Sequence, residues 1–269
     1  VRFQFFRPTG ILANFIKHYW VLEAQAWEGE ISERVIPTGN IELMFHYGKP
    51  FHMKVNDKLI SEQPQSFISG ISSNYADVTT KGETGVIAVT FFPYGACNFF
   101  KFPLQEVENT NVSLTDIFSS QFRYVEEKIC TIPSLTQKIE TIEQFLLECL
   151  FPAPHSDVAF LRHSISLIDK RKGLISAAEL SEHLFVSNKS LERKFGLLIG
   201  KTPKQFTKIV RFQETIRRLS SNRKIQLTEL AYENGYFDQA HFIKDFKTLS
   251  GYTPREFMNL GPCRSDYFE

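Results

Sequence analysis

The chain has 269 residues, 42% hydrophobic and 23% charged, with 26 phenylalanines, which fits a soluble globular protein of one large domain or two ordinary ones and excludes global disorder. No apolar run reaches the roughly 18 residues that a membrane-spanning helix needs, and the opening VRFQFFRPTG lacks the zones of a secretory signal, so a cytoplasmic protein with no membrane partner is expected. The net charge of +1 hides a split: residues 1–156 hold 12 Lys and Arg against 17 Asp and Glu, residues 157–269 hold 19 against 13, and the basic second half points to a polyanion partner.

In chain order, ILANFIKHYWVL places Leu12, Phe15, Ile16 and Tyr19 at helical spacing and predicts a first helix. Short apolar alternations then take over. In RVIPTGNIELMFHYG a Pro-Thr-Gly-Asn turn leads into a strand with Ile41, Leu43, Phe45 and Tyr47 on one face, and SFISGISS and GVIAVTFFPYG repeat the style. So many short strands are buried most simply in an antiparallel sheet or small barrel, and the fold class expected is α+β: a β-rich, barrel-like or jelly-roll-like domain over 1–150, then an all-α region over 157–269. SLTQKIETIEQFLLECL spaces Leu135, Ile139, Ile142, Leu146 and Cys149 for a helix that either packs on its own sheet or forms a seam in a homodimer. FPAPHS, 151–156, carries two prolines and is the expected linker. Cys97, Cys130, Cys149 and Cys263 form no C-x-x-C pair and no metal spacing, so reduced thiols are expected, with no cofactor or metal.

The second half contains an internal repeat. LSEHLFVSNKSLERKFGLLIGKTPKQF, 180–206, and LAYENGYFDQAHFIKDFKTLSGYTPREF, 230–257, run together at an offset of 51 once one extra residue in the second turn is passed. Ser187 then matches Asp238, Leu191 matches Phe242, Phe195 matches Phe246, Gly200 matches Gly251, Pro203 matches Pro254 and Phe206 matches Phe257. Ser176 with Glu179 predicts a capping box for a short helix ending near Leu184, and Thr228 is expected to start its counterpart, which Asn234-Gly235 ends. Ser187 and Asp238 are expected N-caps of the next helices, and Gly200 and Gly251 their terminators. Helix, tight turn, helix is a helix-turn-helix, here in two copies. Thr202-Pro203 and Thr253-Pro254 each start one further helix. The first, running to about Ser220, would be roughly 25 Å long and would hold the two units apart.

Helical angles divide each second helix into a core face, Leu191, Phe195 and Leu198 or Phe242, Phe246 and Leu249, and an outward face. The outward face carries Lys189, Glu192 and Arg193 in the first unit and Ala240, Ile243, Lys244 and Lys247 in the second, flanked by Gln239 and His241. Arg or Lys can bond guanine, Gln adenine and Glu cytosine, while Ala or Ile can meet a thymine methyl, so such a face suits a major groove of double-stranded DNA.

The region 157–260, with A-x-x-x-G-Y-x-D-x-x-x-F-x-x-x-F-K-x-x-x-G-x-T-P-x-x-F from Ala231 to Phe257, resembles the DNA-binding region of AraC-type bacterial transcription regulators. The resemblance implies two reading helices set in successive major-groove segments. It assigns base-facing positions to Lys189, Glu192, Arg193, Gln239, Ala240, Ile243 and Lys244, and phosphate-facing ones to Lys204 and Arg255 beside helix starts, with Lys247. Ala240 stands where a polar side chain is common, which shifts the second unit's readout toward Gln239 and Lys244. FRPTGILANFIKHYW, VIPTGNIELMFHYG and VTFFPYGACNFFKFP resemble an uncharacterised domain found ahead of such regions, implying a β-rich sensing and dimerising domain.

A pocket for a small-molecule effector is then expected in or beside the sheet, with Trp20, Trp27, Glu42, His46 and Tyr94 available to line it. Two other readings stand beside this one. An enzyme or metal-binding barrel fused to a DNA-binding tail would need a His-x-His set or another catalytic motif, and His18, His46, His52 and His155 have no such spacing. A helical adaptor would use the second half without DNA.

Overall fold

The computed structural model describes residues 1–55, 58–151, 153–222 and 225–260; Cys263 lies outside them. Among the described residues ten strands come first: β1 (Arg2–Phe6), β2 (Ile16–Ala24), β3 (Glu30–Val35), β4 (Glu42–His46), β5 (His52–Val55), β6 (Lys58–Glu62), β7 (Ser66–Ser69), β8 (Ala76–Lys81), β9 (Thr84–Phe91) and β10 (Asn111–Ser113). They build a six-stranded sheet, in the order β1-β2-β9-β4-β7-β10, and a four-stranded one, β3-β8-β5-β6, with antiparallel pairing throughout.

Every residue of β9 is buried, because the six-stranded sheet is covered on both faces. One face packs Leu22 and Val86 against Ile31, Phe51 and Val78 of the second sheet's side. The other packs Tyr19, Leu43, Phe45, Ile87 and Val89 against two helices, α1 (Leu114–Thr131) and α2 (Leu135–Cys149).

Two-sided burial accounts for the main correction to the sequence reading. ILANFIKHYWVL is not a helix: Gly10–Asn14 form a 3-10 turn and Ile16–Ala24 the strand β2, paired with both β1 and β9. A strand apolar on both faces loses its alternation, and its long apolar run imitates a helix. The second expected helix is α2, and its stripe packs inward: Ile139, Ile142, Phe145 and Leu146 are buried, and the Phe145 ring lies 4.9 Å from that of Phe122. Of the two uses left open for this stripe, packing on its own domain is the one realised, so the face is not free to form a seam.

Seven further helices follow among the described residues: α3 (His155–Lys170), α4 (Ala177–His183), α5 (Asn188–Leu198), α6 (Pro203–Ser221), α7 (Leu227–Glu233), α8 (Gln239–Ser250) and α9 (Pro254–Asn259). Helix α3 begins inside the stretch read as a linker, and the Phe151 and Ala153 amides before it are tied to the Asn98 backbone and side chain at 3.0 Å. The large core does not stop there; it continues from the sheet through Leu161, Leu180, Leu191 and Phe195 to Phe206 and Ile209 in the first part of α6. The remainder of α6, Phe212, Ile216 and Leu219, belongs to a separate cluster with Leu230, Phe242, Phe246 and Phe257.

Candidate nucleic-acid interface and effector cavity

Local chemistry sets each helix end. Ser176 and Glu179 form the expected capping box, Ser187 accepts from the Ser190 amide at 3.2 Å, and Asp238 accepts from the His241 amide at 2.7 Å. Thr202 with Gln205 and Thr253 with Glu256 make capping boxes around Pro203 and Pro254. Gly200, Gly235 and Gly251 have φ of +86°, +71° and +75°, which glycine tolerates without a Cβ clash. One expected start differs. Helix α7 begins at Leu227 after Gln226, and Thr228 lies inside it, its hydroxyl donating to Gln239 Oε1 at 3.0 Å.

The extra residue of the second turn is Phe237. Phe185 N–H bonds the Glu182 carbonyl, just as Gly235 N–H bonds that of Tyr232, and Val186 and Tyr236 bond the carbonyls of Ser181 and Ala231. Phe185 therefore stands where the second copy has Gly235, and it holds φ +53° with its ring 96% exposed.

On α5, Lys189, Glu192 and Arg193 are all exposed, and Leu191 and Phe195 are buried beneath them. Lys194 is drawn aside into an ion pair with Asp157 on α3. On α8, Ala240, Lys244 and Lys247 are exposed. Two residues of that face differ from expectation: Ile243 is half-buried, packed against the second unit's own core, and Gln239 is half-buried beside Thr228. An isoleucine that reaches the core edge needs no ligand to account for it. Lys204 and Arg255 are exposed in the first turns of α6 and α9. Helix α6, 19 residues and about 28 Å long, joins the two units rigidly.

Both units are also docked on the sheet region, through residues the sequence did not single out. Lys201, 1% exposed, donates from Nζ to Glu108 Oε1 at 2.7 Å, Ser73 Oγ at 2.7 Å and Asn109 Oδ1 at 3.2 Å, and Gln205 donates to the same Glu108 oxygen at 3.0 Å. Burial lowers the Lys201 pKa and Glu108 opposes that shift. Arg34 pairs with Asp77 through two bonds of 2.6 and 2.7 Å, and its guanidinium lies 4.4 Å from the Tyr75 ring centre and 4.3 Å from that of Tyr252. The hydrogen bond to Asp77 raises the Arg34 pKa further. Midway along α6, Gln213 donates to the Pro37 carbonyl.

Beside Arg34 is a cavity of about 360 Å³, within the size range of small-molecule sites. Its walls include Trp20, Met44 and Phe67 from the sheets, Phe51 just before β5, and Tyr252 and Phe257 from the second helix-turn-helix unit. Glu42 is among the lining residues. Its Oε1 accepts from Trp20 Nε1 at 3.1 Å and Thr90 Oγ1 at 2.6 Å, and burial pushes its pKa up. Of the other residues expected to line a pocket, His46 is buried and bonded to Gln63 at 3.2 Å, with burial lowering its pKa to about 4; Tyr94 packs under Arg162, and Trp27 is 81% exposed. Alternation along β4 was the available signal for the cavity: Glu42 and Met44 face it while Leu43 and Phe45 face the helices. Among the described residues no group of three or more His, Cys, Asp or Glu could hold a metal ion, and no helix is long and apolar enough to cross a membrane.

A helix-turn-helix domain family matches residues 180–259. The chain carries an AraC-type helix-turn-helix domain. That domain is the DNA-binding part of a transcription regulator. A domain of unknown function (DUF6597) matches residues 4–113. The chain is similar to ToxT from Vibrio cholerae, at 12% identity over 90% of this chain and 97% of that one, with a TM-score of 0.45. It is similar to the C-terminal domain of AraT, a response regulator from Geobacillus stearothermophilus, at 22% identity over 37% of this chain and 84% of that one, with a TM-score of 0.35. A transcriptional regulator with an AraC-type DNA-binding domain from Chromobacterium violaceum matches at 20% identity over 39% of this chain and 95% of that one, also with a TM-score of 0.35. No curated protein matches the chain.

Proposed function

We propose that the chain is a sequence-specific, effector-responsive transcription regulator that reads DNA with the outer faces of α5 and α8. The observation that carries this reading is the pair of capped, exposed and largely basic faces, Lys189-Glu192-Arg193 and Ala240-Lys244, on two units set at the ends of one rigid helix. Lys204, Lys247 and Arg255 contact phosphates in this reading and make affinity fall steeply with salt. Gln239 reaches a base once it leaves Thr228, and Ile243 supports the face from below. Effector response follows from the cavity: its wall is shared between the sheets and Tyr252 and Phe257 of the second unit, so an occupant that favours one placement of that unit over another changes DNA affinity.

Selection from a random duplex library, with the full chain, tests the reading. Arg193→Ala and Lys244→Ala are each expected to cost on the order of 1 to 3 kcal/mol at one base position and to relax the motif there, whereas Lys204→Ala weakens all sequences alike. An unchanged motif in both base-facing variants would remove these residues from the reading face. No duplex binding even at low salt would leave the helical adaptor.

A further inference from the structure

The cavity's polar equipment names a chemical class of ligand, an inference that rests on the effector reading above. Its walls are mainly aromatic and aliphatic, and the acidic and basic side chains among the described residues on them are Glu33, Arg34 and Glu42. Arg34 is already committed: Asp77 takes two of its donors, and the rings of Tyr75 and Tyr252 lie against its guanidinium. It is poorly placed to receive an anionic ligand as well. Glu42 has the opposite status. Among the described residues both hydrogen bonds to its carboxyl fall on Oε1, and Oε2 has no partner yet is not sealed off from solvent, as expected for an oxygen that borders open space.

A carboxyl oxygen facing an aromatic-walled cavity is a recognition element for a cation. The carboxylate supplies a charge-assisted hydrogen bond, and aromatic faces attract positive charge through their quadrupoles. Lys17 acts on the Glu42 carboxyl by charge but does not line the cavity, so among the described lining residues an anion would meet Glu42 with no cation free to offset it. We propose that the cavity is a binding site for an organic amine, an ammonium group on an apolar or aromatic body, with Glu42 Oε2 accepting from the ammonium and Trp20 and Thr90 holding the carboxyl in place. Thr90 and Trp20 are positioning residues here. Burial holds the Glu42 carboxyl toward its neutral form, so an arriving ammonium also favours loss of its proton.

Calorimetry on the full chain without DNA tests this with three matched probes: 4-phenylbutylamine, 4-phenylbutan-1-ol and 4-phenylbutanoate. The amine is expected to bind at least tenfold more tightly than the alcohol, and the carboxylate least of all. Glu42→Gln removes the amine's advantage and leaves the alcohol within about twofold. Glu42→Met, which keeps the volume without the polar atoms, must do the same and stands in if the glutamine variant does not fold. The carboxylate binding most tightly, no preference for the amine, an amine preference that survives both variants, or no binding of any probe at millimolar concentration would overturn the proposal. Amine binding that leaves duplex affinity unchanged would retain the ligand class and remove the effector reading, so the two can fail separately.

Discussion

Gly200-Lys201 and Gly251-Tyr252 occupy the same place in the two repeats, and each pair faces the sheet region, but they meet it through different chemistry. The first pair meets backbone and hydrogen-bonding groups: a Cβ on Gly200 would lie 2.7 Å from the Leu104 carbonyl oxygen, and Lys201 is buried among Ser73, Glu108 and Asn109. Side chains receive the second: a Cβ on Gly251 would meet the Arg34 guanidinium and the Tyr75 ring, and the Tyr252 ring also lies against Arg34. A duplicated unit has thus acquired one attachment fixed by main-chain geometry and another made of movable side chains bordering a cavity. The first unit is held by backbone and buried hydrogen bonds, the second by side chains.

The glycines give the sharpest way to break this contrast. Gly200→Ala must adopt φ +86° and displace the Leu104 backbone, and is expected to cost roughly 3 kcal/mol or more, whereas Gly251→Ala, facing side chains that can shift, costs about 1 to 2 kcal/mol by urea unfolding. Equal losses would mean that the two attachments are equally rigid. Next in size are their neighbours. Lys201→Met takes one of the two donors from Glu108 and is expected to cost about 1 to 3 kcal/mol, and Tyr252→Leu, losing one ring over Arg34, about 1 kcal/mol. A larger loss at Tyr252 than at Lys201 would reverse the order.

The smallest effect is expected at Phe185. Its positive φ costs on the order of 1 kcal/mol or more, and a ring 96% exposed recovers almost none of that by burial within the chain. Phe185→Gly, the residue type of the second copy, should therefore leave stability unchanged or raise it by up to about 1 kcal/mol, read as a small upward shift in Tm. A clear drop would show that the ring packs more than its exposure implies.

What could be read from the sequence follows the range of the interactions. Caps, terminating glycines and Thr-Pro starts act within three or four residues, so Ser187, Asp238, Gly235 and Pro203 announced the repeat and both helix-turn-helix units without any knowledge of the fold. Periodicity was reliable where one face is buried, as in α2, and failed in β2, where Tyr19 and Val21 face helices while Trp20 and Leu22 face the other sheet. At Ile243 the helical angle gave the right side of α8 but not the depth of the core beside it. Lys201, Arg34 and Tyr252 carried no local signal. Their partners lie 92 to 128 residues away for Lys201, and an isolated charge or ring reads as solvated surface.

Helix α6 belongs to two cores at once, with Phe206 and Ile209 in the large cluster and Phe212, Ile216 and Leu219 in the small one. Continuous as a helix, it is divided as a cooperative unit. The second helix-turn-helix unit can open by sub-global unfolding without disturbing the core that anchors the first, and the amides of one unbroken helix then divide into two tiers of exchange protection.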